Sequence, residues 1–347
     1  MTYYLDTWEW FGHRTYHHSQ FTPLSQLKAA KRRSCATVSV CIPARNEAET
    51  IGKVVRTIRR NLMDRVGLVD EVVVMDAGSR DDTASIAAAE GAKVYCEADV
   101  LPDAGPGAGK GEALWKSLHV TSGDLICWID ADIRNIHPRF VYGLLGPLLT
   151  ESGIAYVKAF YERPLLDRRG LAHGGGGRVT ELTARPLLSL FWPQLAGLVQ
   201  PLAGEYAGRR EVLEQVPFST GYGVELGLLV DIAARWGIAS IAQVDLDRRV
   251  HRNQDMQALS RMSFGILQAA LTRLAGEGRL EAASWSTTLY QFTNRDRGYH
   301  MEPHDLAVGQ RPPMITVDAY RREREREPLA AAVGAAPQAA EARAPGG

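Results

Sequence analysis

The chain has 347 residues, enough for one large α/β domain or two smaller ones with an ample core. Lys plus Arg and Asp plus Glu each number 40, so the formal net charge is zero, which argues against a general nucleic-acid binder. Four cysteines (Cys35, Cys41, Cys96 and Cys127) without CxxC spacing, three of them in or beside apolar runs, predict neither a zinc site nor a disulfide framework.

Residues 1–36 are aromatic, His-containing and polar, with a short helix predicted over Pro23–Arg32; they read as an arm packing on the main domain or on a partner subunit. Their start, Met1-Thr-Tyr-Tyr-Leu-Asp6, lacks the basic segment and apolar core of a signal peptide, which predicts a soluble cytoplasmic protein. From Thr37 strands and helices alternate. Val38–Ile42 is predicted as a strand, Glu47–Arg60 as a helix with Ile51, Val54, Val55 and Ile58 on one face, and Glu71–Met75 as a strand. A helix over Asp82–Glu90, a short strand over Ala92–Cys96, a Gly-rich loop over 103–109 and a helix over Gly111–His119 follow. The apolar run Leu125-Ile-Cys-Trp-Ile then ends on Asp130-Ala-Asp132. Such alternation predicts βαβ units and a mostly parallel sheet. Further on, Ile154–Phe160 reads as a strand, Gly174–Gly177 as a loop, and Val179–Leu190 as a helix ended or kinked at Arg185-Pro186. Glu225–Trp236 is predicted helical and Ser240–Leu246 extended; Leu226–Val244 comes nearest to a membrane span, but Asp231 and Arg235 interrupt it. Residues 321–347 begin as a charge run and turn to Ala, Pro and Gly, a composition that predicts a disordered tail.

Two carboxylates one residue apart at a strand end reach the carboxyl edge of the sheet, where open α/β sheets bind ligands. Holding them together calls for a cation, and a divalent metal bridging to a diphosphate is the economical reading. The plain alternative is a strand end with two solvated acids. Pro43-Ala-Arg-Asn46-Glu47 follows the first strand, Pro43 being expected to end the ladder and Asn46 or Glu47 to reach a base or ribose, unless they only cap the next helix. Asp76-Ala-Gly-Ser79 repeats the arrangement after the second strand, with Asp81-Asp82-Thr83 as capping residues. Gly105-Pro-Gly-Ala-Gly109-Lys110-Gly111 lacks the spacing and the Ser or Thr of a Walker loop, yet it can set Lys110 against a diphosphate at a helix start; the alternative is a solvated lysine. His251, flanked by Arg249 and Arg252 beyond a strand, is placed to complete a metal shell or to serve structure alone. Gly174–Gly177 leading into Arg178-Val-Thr180 offers amides, a guanidinium and a hydroxyl for an anion, or else is a hinge.

Together these residues carry a resemblance. Pro43-Ala-Arg-Asn-Glu47, Asp76-Ala-Gly-Ser-Arg-Asp-Asp-Thr83, Gly109-Lys-Gly-Glu-Ala-Leu-Trp115 and Asp130-Ala-Asp132 stand in the order seen in family 2-like GT-A glycosyltransferases. Gly-Arg178-Val-Thr180-Glu-Leu, Gln200-Pro-Leu-Ala-Gly-Glu-Tyr206, Gly221-Tyr-Gly-Val-Glu225 and His251-Arg-Asn253 narrow this to a group resembling the actinobacterial glucosyl-3-phosphoglycerate synthases and their mannosyl relatives. The resemblance runs from about residue 37 to 265 and leaves the arm and tail uncovered. It implies a GT-A, Rossmann-like fold with a nucleotide-sugar half over 37–132 and an acceptor half over 133–265; beyond it, 266–320 reads as a C-terminal extension that, with the aromatic arm, offers apolar surface for a dimer. It also implies a cytoplasmic homodimer that moves a hexose with retention from a nucleotide sugar to the 2-hydroxyl of D-3-phosphoglycerate, with Mg²⁺ or Mn²⁺. Carried over by position, Pro43, Arg45, Glu47, Ser79, Asp130 and Ala131 lie along the nucleotide, and Lys110 meets the diphosphate. Asp132 and His251 ligate the metal, Glu225 holds the donor sugar, and Gly177, Arg178, Thr180 and Asn253 hold phosphoglycerate. Arg45 replaces a leucine of the family pattern, so the choice between UDP-glucose and GDP-mannose stays open.

Three other readings compete. A polyprenyl-phosphate sugar transferase shares the Pro-x-x-Asn-Glu and D-x-D pattern but favours a lipid acceptor and often carries membrane segments. A sugar-nucleotide pyrophosphorylase would place its glycine loop after the first strand, where this chain has Pro-Ala-Arg-Asn-Glu. A non-enzymatic binding module would have no need of every ligand this sequence retains.

Overall fold

The computed structural model describes all residues except 1, 164, 168–169, 173–176, 251–254, 282–283, 296–297 and 326–347. The chain opens with helix α1 (Thr2–Arg14), strand β1 (Thr15–His17) and helix α2 (Leu24–Ser34). The predicted alternation follows as β2 (Val38–Ala44), α3 (Ile51–Ile58), β3 (Glu71–Asp76), α4 (Thr83–Ala89), β4 (Lys93–Cys96), α5 (Lys110–Val120) and β5 (Leu125–Trp128). Next come α6 (Arg139–Thr150), β6 (Tyr156–Glu162), β7 (Leu165–Asp167), β8 (Gly170–Ala172) and α7 (Arg185–Phe191). Then stand β9 (Tyr206–Arg209), α8 (Arg210–Leu213), β10 (Phe218–Ser219), α9 (Val224–Trp236) and β11 (Ile241–Arg248). A long α10 (Met256–Gly276), a hairpin of β12 (Thr288–Arg295) and β13 (Gly298–Asp305), and β14 (Gln310–Arg311) complete the described elements.

Eight strands form one sheet in the order β1-β11-β6-β9-β5-β2-β3-β4. Every neighbouring pair is parallel except the two made by β9, which runs against β5 and β6. Each central strand is buried on both sides, as parallel strands covered by helices must be. On one face Ile51, Val54, Val55 and Ile58 of α3 pack with Val40, Ile42 and the α6 residues Phe140 and Leu144. On the other, Trp115 of α5 and Leu226, Leu228 and Leu229 of α9 close over Trp128 and Tyr206.

Several expectations shift. Pro43 does not end the ladder: β2 runs to Ala44, with Pro43 opposite Met75. Its missing N–H would point to the β5 side, where β5 has already stopped at Trp128, so no bond is lost. Helix α3 starts at Ile51 rather than Glu47, because residues 47–50 form a turn in which Glu47 O accepts from Thr50 N and Ile51 N; it then widens into a π-helical segment, Arg59–Asp64. The helix expected over 179–190 does not stop at Pro186. Thr180–Ala184 winds as a π-helix, and Pro186 falls in the first turn of α7, where a missing N–H costs little.

The N-terminal arm is part of the sheet. Beyond the single short helix foreseen, it supplies α1 and the edge strand β1, whose Thr15, Tyr16 and His17 pair with Gln243, Val244 and Asp245. Trp10 is buried and its indole N–H donates to Ile238 O and Ile241 O. His17 and His18 both reach Asp247, at 3.0 and 2.8 Å. Arg139 stands 3.3 Å from the same carboxylate, so the cluster reads as a pin for the arm. Of the predicted tail, 321–325 are helical and 326–347 lie outside the described residues. All four cysteines are free. Among the described residues no helix is long and apolar enough to cross a membrane.

Candidate active site

The carboxyl ends of β2, β3, β5 and β11 open on a cleft of ≈ 620 Å³. Strand β5 stops at Trp128, and Ile129 N still bonds to Cys41 O, so the chain leaves the sheet just as it delivers Asp130 and Asp132. Asp130 Oδ1 accepts from Lys110 Nζ at 2.6 Å and its Oδ2 from Arg249 Nη2 at 2.9 Å. The same Arg249 nitrogen reaches Asp132 Oδ1 at 2.8 Å, and Arg249 Nε lies 2.9 Å from Glu205 Oε1 in an ion pair too bent for a hydrogen bond. Tyr161 Oη donates to Glu205 Oε2 at 2.5 Å. Lys110 Nζ also stands 3.0 Å from Glu225 Oε1, at the head of α9.

Burial alone would raise the Asp130 carboxyl, but Lys110 and Arg249 hold it well below the usual carboxylate range. Asp132 goes the other way: burial raises it against the pull of Arg249, and the charge of Asp130 adds to the rise. Burial would lower the Lys110 ammonium, yet Asp130 and Glu225 raise it, so it stays charged. Space here is tight. A side chain at Gly204 would collide with the Asp130 carboxylate.

The glycine loop does not swing freely. Arg311, from the far end of the chain, donates to Ala104 O at 2.5 Å, Gly105 O at 2.9 Å, and both oxygens of the buried Glu112 at 2.6 and 2.8 Å. Gly109 adopts φ +89° and passes so close to Gly221 that a Cβ would meet its backbone. Lys110 therefore enters the cleft from a fixed helix start.

Pro43, Arg45, Glu47 and Glu97 line the cleft. Burial raises Glu97 to about 7, with Lys116 opposing. Ser79 and Asn46 do not line it. Ser79 Oγ donates to Asp76 and accepts from Asn46 N at 2.9 Å, while Asn46 Oδ1 accepts from Arg80 N at 2.8 Å. Asn46, in a left-handed conformation (φ 56°), clips two loops together. Gly177, Arg178, Val179 and Thr180 line the cleft as well, with Leu259, Met262 and Ile266 of α10. Gly177 has φ +85° and its carbonyl accepts from Glu181 N, so the turn into this helix needs glycine.

Lys110, Asp130, Ala131, Asp132 and Glu225 thus line one cleft together with Pro43, Arg45, Glu47, Gly177, Arg178 and Thr180. His251, Asn253 and Gly174–Gly176 lie outside the described residues. Sequence reasoning saw Arg249 only as a neighbour of His251, and missed the roles of Glu205, Tyr161 and Glu97. A charged residue just past a strand was the available signal for Arg249. Glu205 had none, since the strand that follows it was not foreseen.

The donors suit a divalent cation. Asp130 and Asp132 offer hard oxygens of the kind Mg²⁺ and Mn²⁺ take. Burial and the Asp130 charge both raise the Asp132 carboxyl, so a further positive charge there would favour its ionised form. Asp132 would hold the ion.

The glycosyl transferase family 2 profile matches residues 39–216. Glucosyl-3-phosphoglycerate synthase of Petrotoga mobilis is 46% identical over 315 residues, covering 90% of this chain and 97% of the relative. The crystal structure of mannosyl-3-phosphoglycerate synthase from Rubrobacter xylanophilus superposes with a TM-score of 0.81 at 42% identity, covering 89% of this chain and 97% of the other. Glucosyl-3-phosphoglycerate synthase of Mycobacterium tuberculosis, crystallised with Mn²⁺, UDP-glucose and phosphoglyceric acid, gives 0.71 at 46% identity, covering 83% and 93%.

Proposed function

The chain belongs to glycosyl transferase family 2, with its GT-A fold, and we propose that it moves a hexose with retention from a nucleoside-diphosphate sugar, UDP-glucose by preference, to the 2-hydroxyl of D-3-phosphoglycerate. One observation carries this: a single cleft joins Arg45 and Glu47, the Lys110–Asp130–Glu225 cluster, and the Gly177–Thr180 turn. Those groups suit a nucleotide, a diphosphate-linked sugar and a small phosphorylated acid. Residues 37–132 then carry the donor half and 133–265 the acceptor half. Both substrates are charged metabolites of the cytoplasm, where we place the enzyme.

A Mg²⁺ or Mn²⁺ ion held by Asp132, with His251 as the second ligand that the resemblance implies, would supply positive charge to the departing diphosphate. Lys110 supplies a second, from a site already shaped around anionic partners. In the transfer the anomeric carbon–phosphate oxygen bond breaks and its electron pair stays on the phosphate. The acceptor hydroxyl adds to the same face and its proton passes to that phosphate oxygen. Glu225, held 3.0 Å from Lys110, orients the hexose in this scheme and forms no covalent bond.

The test is a panel of UDP- and GDP-linked glucose and mannose, offered with 3-phosphoglycerate or a polyprenyl phosphate, with release of nucleoside diphosphate as the readout. Turnover with 3-phosphoglycerate that stops in excess EDTA is expected. GDP-mannose as the preferred donor would move the enzyme to the mannosyl reading, and turnover with the lipid alone would overturn the acceptor.

A homodimer is proposed for the C-terminal extension. In the β12–β13 hairpin Phe292 pairs with Met301 and Tyr290 with Pro303, leaving an apolar face on a two-stranded ribbon that is weak alone. Light scattering at micromolar concentration is expected to give twice the chain mass of 38.1 kDa, and a monomeric mass would refute the dimer.

A further inference from the structure

Beneath the cleft lies a buried amine that the transfer above does not use. Lys158 sits in the middle of β6, opposite Tyr206 of β9 on one side and Gln243 of β11 on the other. It is 1% exposed, and its Nζ lies 3.9 Å from the centre of the Tyr206 ring. Lys110 Nζ stands 5.7 Å from the same ring and 3.0 Å from Glu225 Oε1, so Lys158, Tyr206, Lys110 and Glu225 form one cluster. Lys158 Nζ, Tyr156 Oη and Tyr206 Oη are all buried without a hydrogen-bond partner among the described residues. Leaving three such groups unmatched in a sheet interior is costly. Burial pulls the Lys158 amine down to about 7, with the Glu225 carboxylate opposing.

Glu225 has a partner at present in Lys110, which it shares with Asp130. A diphosphate arriving at Lys110 would compete for that ammonium and leave Glu225 short of positive charge. We propose that Lys158, with the hydroxyls of Tyr156 and Tyr206, is a positioning residue that holds the Glu225 carboxylate from below once the donor diphosphate engages Lys110. This rests on the reading of Glu225 as the group that faces the donor hexose. It accounts for a buried amine that a purely structural core would replace with Leu or Met.

Lys158→Met keeps the length of the side chain and removes the charge. Turnover is expected to fall by about tenfold or more. Binding of UDP with Mg²⁺, which offers no hexose to Glu225, should stay within roughly twofold of wild type, and the melting temperature should hold or rise as an unpaired buried charge is lost. Tyr206→Phe should lower turnover in the same sense, and the double variant should be little worse than Lys158→Met, since both act through one carboxylate. Wild-type turnover in Lys158→Met would overturn the inference. So would a fall in UDP binding and melting temperature that matches the fall in turnover, since that marks a structural residue. If Lys158→Met does not fold, Tyr206→Phe decides, and unchanged turnover there overturns the inference too. Glu225→Gln measured alongside separates the two levels. Wild-type rates in Glu225→Gln remove the reading of Glu225 itself, whereas an impaired Glu225→Gln beside an unaffected Lys158→Met removes only the role of Lys158.

Discussion

Asp132→Ala is expected to lower kcat by on the order of 10²–10³-fold or more while leaving the fold intact. The fold survives because Arg249, which loses one carboxylate, keeps two others in Asp130 and Glu205. What goes is the group that would hold the divalent ion against the diphosphate. Among the described acids of the site it is also the one best placed to do so. Asp130 is already bonded to two cations, whereas Asp132 is bonded to Arg249 and its carboxyl stays raised by burial and the neighbouring Asp130. Circular dichroism and the melting temperature should therefore match wild type while kcat collapses, and added Mn²⁺ should not restore it. The same loss is expected for His251→Ala on the sequence reading. Near-normal turnover of the Asp132 variant, or full activity of the wild type in excess EDTA, would sink the metal assignment.

Much of this was legible because it depends on local pattern. The alternating apolar runs from Val38 to Trp128 place β2, β3, β4 and β5, and the residues that end each run fall at the carboxyl edge by geometry alone. Lys110 and Asp132 could be found that way. What stayed hidden depends on long-range contact. Strand β9 is Tyr206-Ala-Gly-Arg209, too short and too poor in β-branched residues to announce itself; it is extended because it fills the gap between β5 and β6. Without it neither Glu205 nor the Tyr206–Lys158 pairing can be foreseen. The clamp of Arg311 on the glycine loop joins residues about two hundred positions apart, which no spacing rule reaches. Asn46 is a further long-range case: its left-handed backbone and its bond from Arg80 join two loops, a link that its place in a βα loop does not announce.

Arg178→Ala should raise the Michaelis constant for 3-phosphoglycerate by roughly 10–150-fold, the equivalent of the about 1.5–3 kcal/mol of a hydrogen bond to a charged group. The donor constant should change far less, because in the proposed arrangement Arg178 meets the acceptor and not the nucleotide. The geometry supports an anion site at this turn on three counts. Gly177 turns the chain with φ +85° into the helix that begins at Arg178, whose first N–H groups lack helical acceptors. Thr180 is buried at 2% exposure, leaving its hydroxyl little freedom. Arg163 lines the same cleft and donates to Tyr161 Oη at 3.1 Å, which adds a second guanidinium close by. A small acid carrying both a carboxylate and a phosphate needs such a paired arrangement. Thr180→Val keeps the volume and removes one donor, so it should cost about tenfold in acceptor binding without disturbing the helix that follows. If the Gly177 turn is only a hinge with an arginine on its surface, neither change will matter. Wild-type phosphoglycerate binding in both variants would therefore place the acceptor elsewhere in the cleft, and a loss shared equally by donor and acceptor would show that the helix, not the anion, had been disturbed.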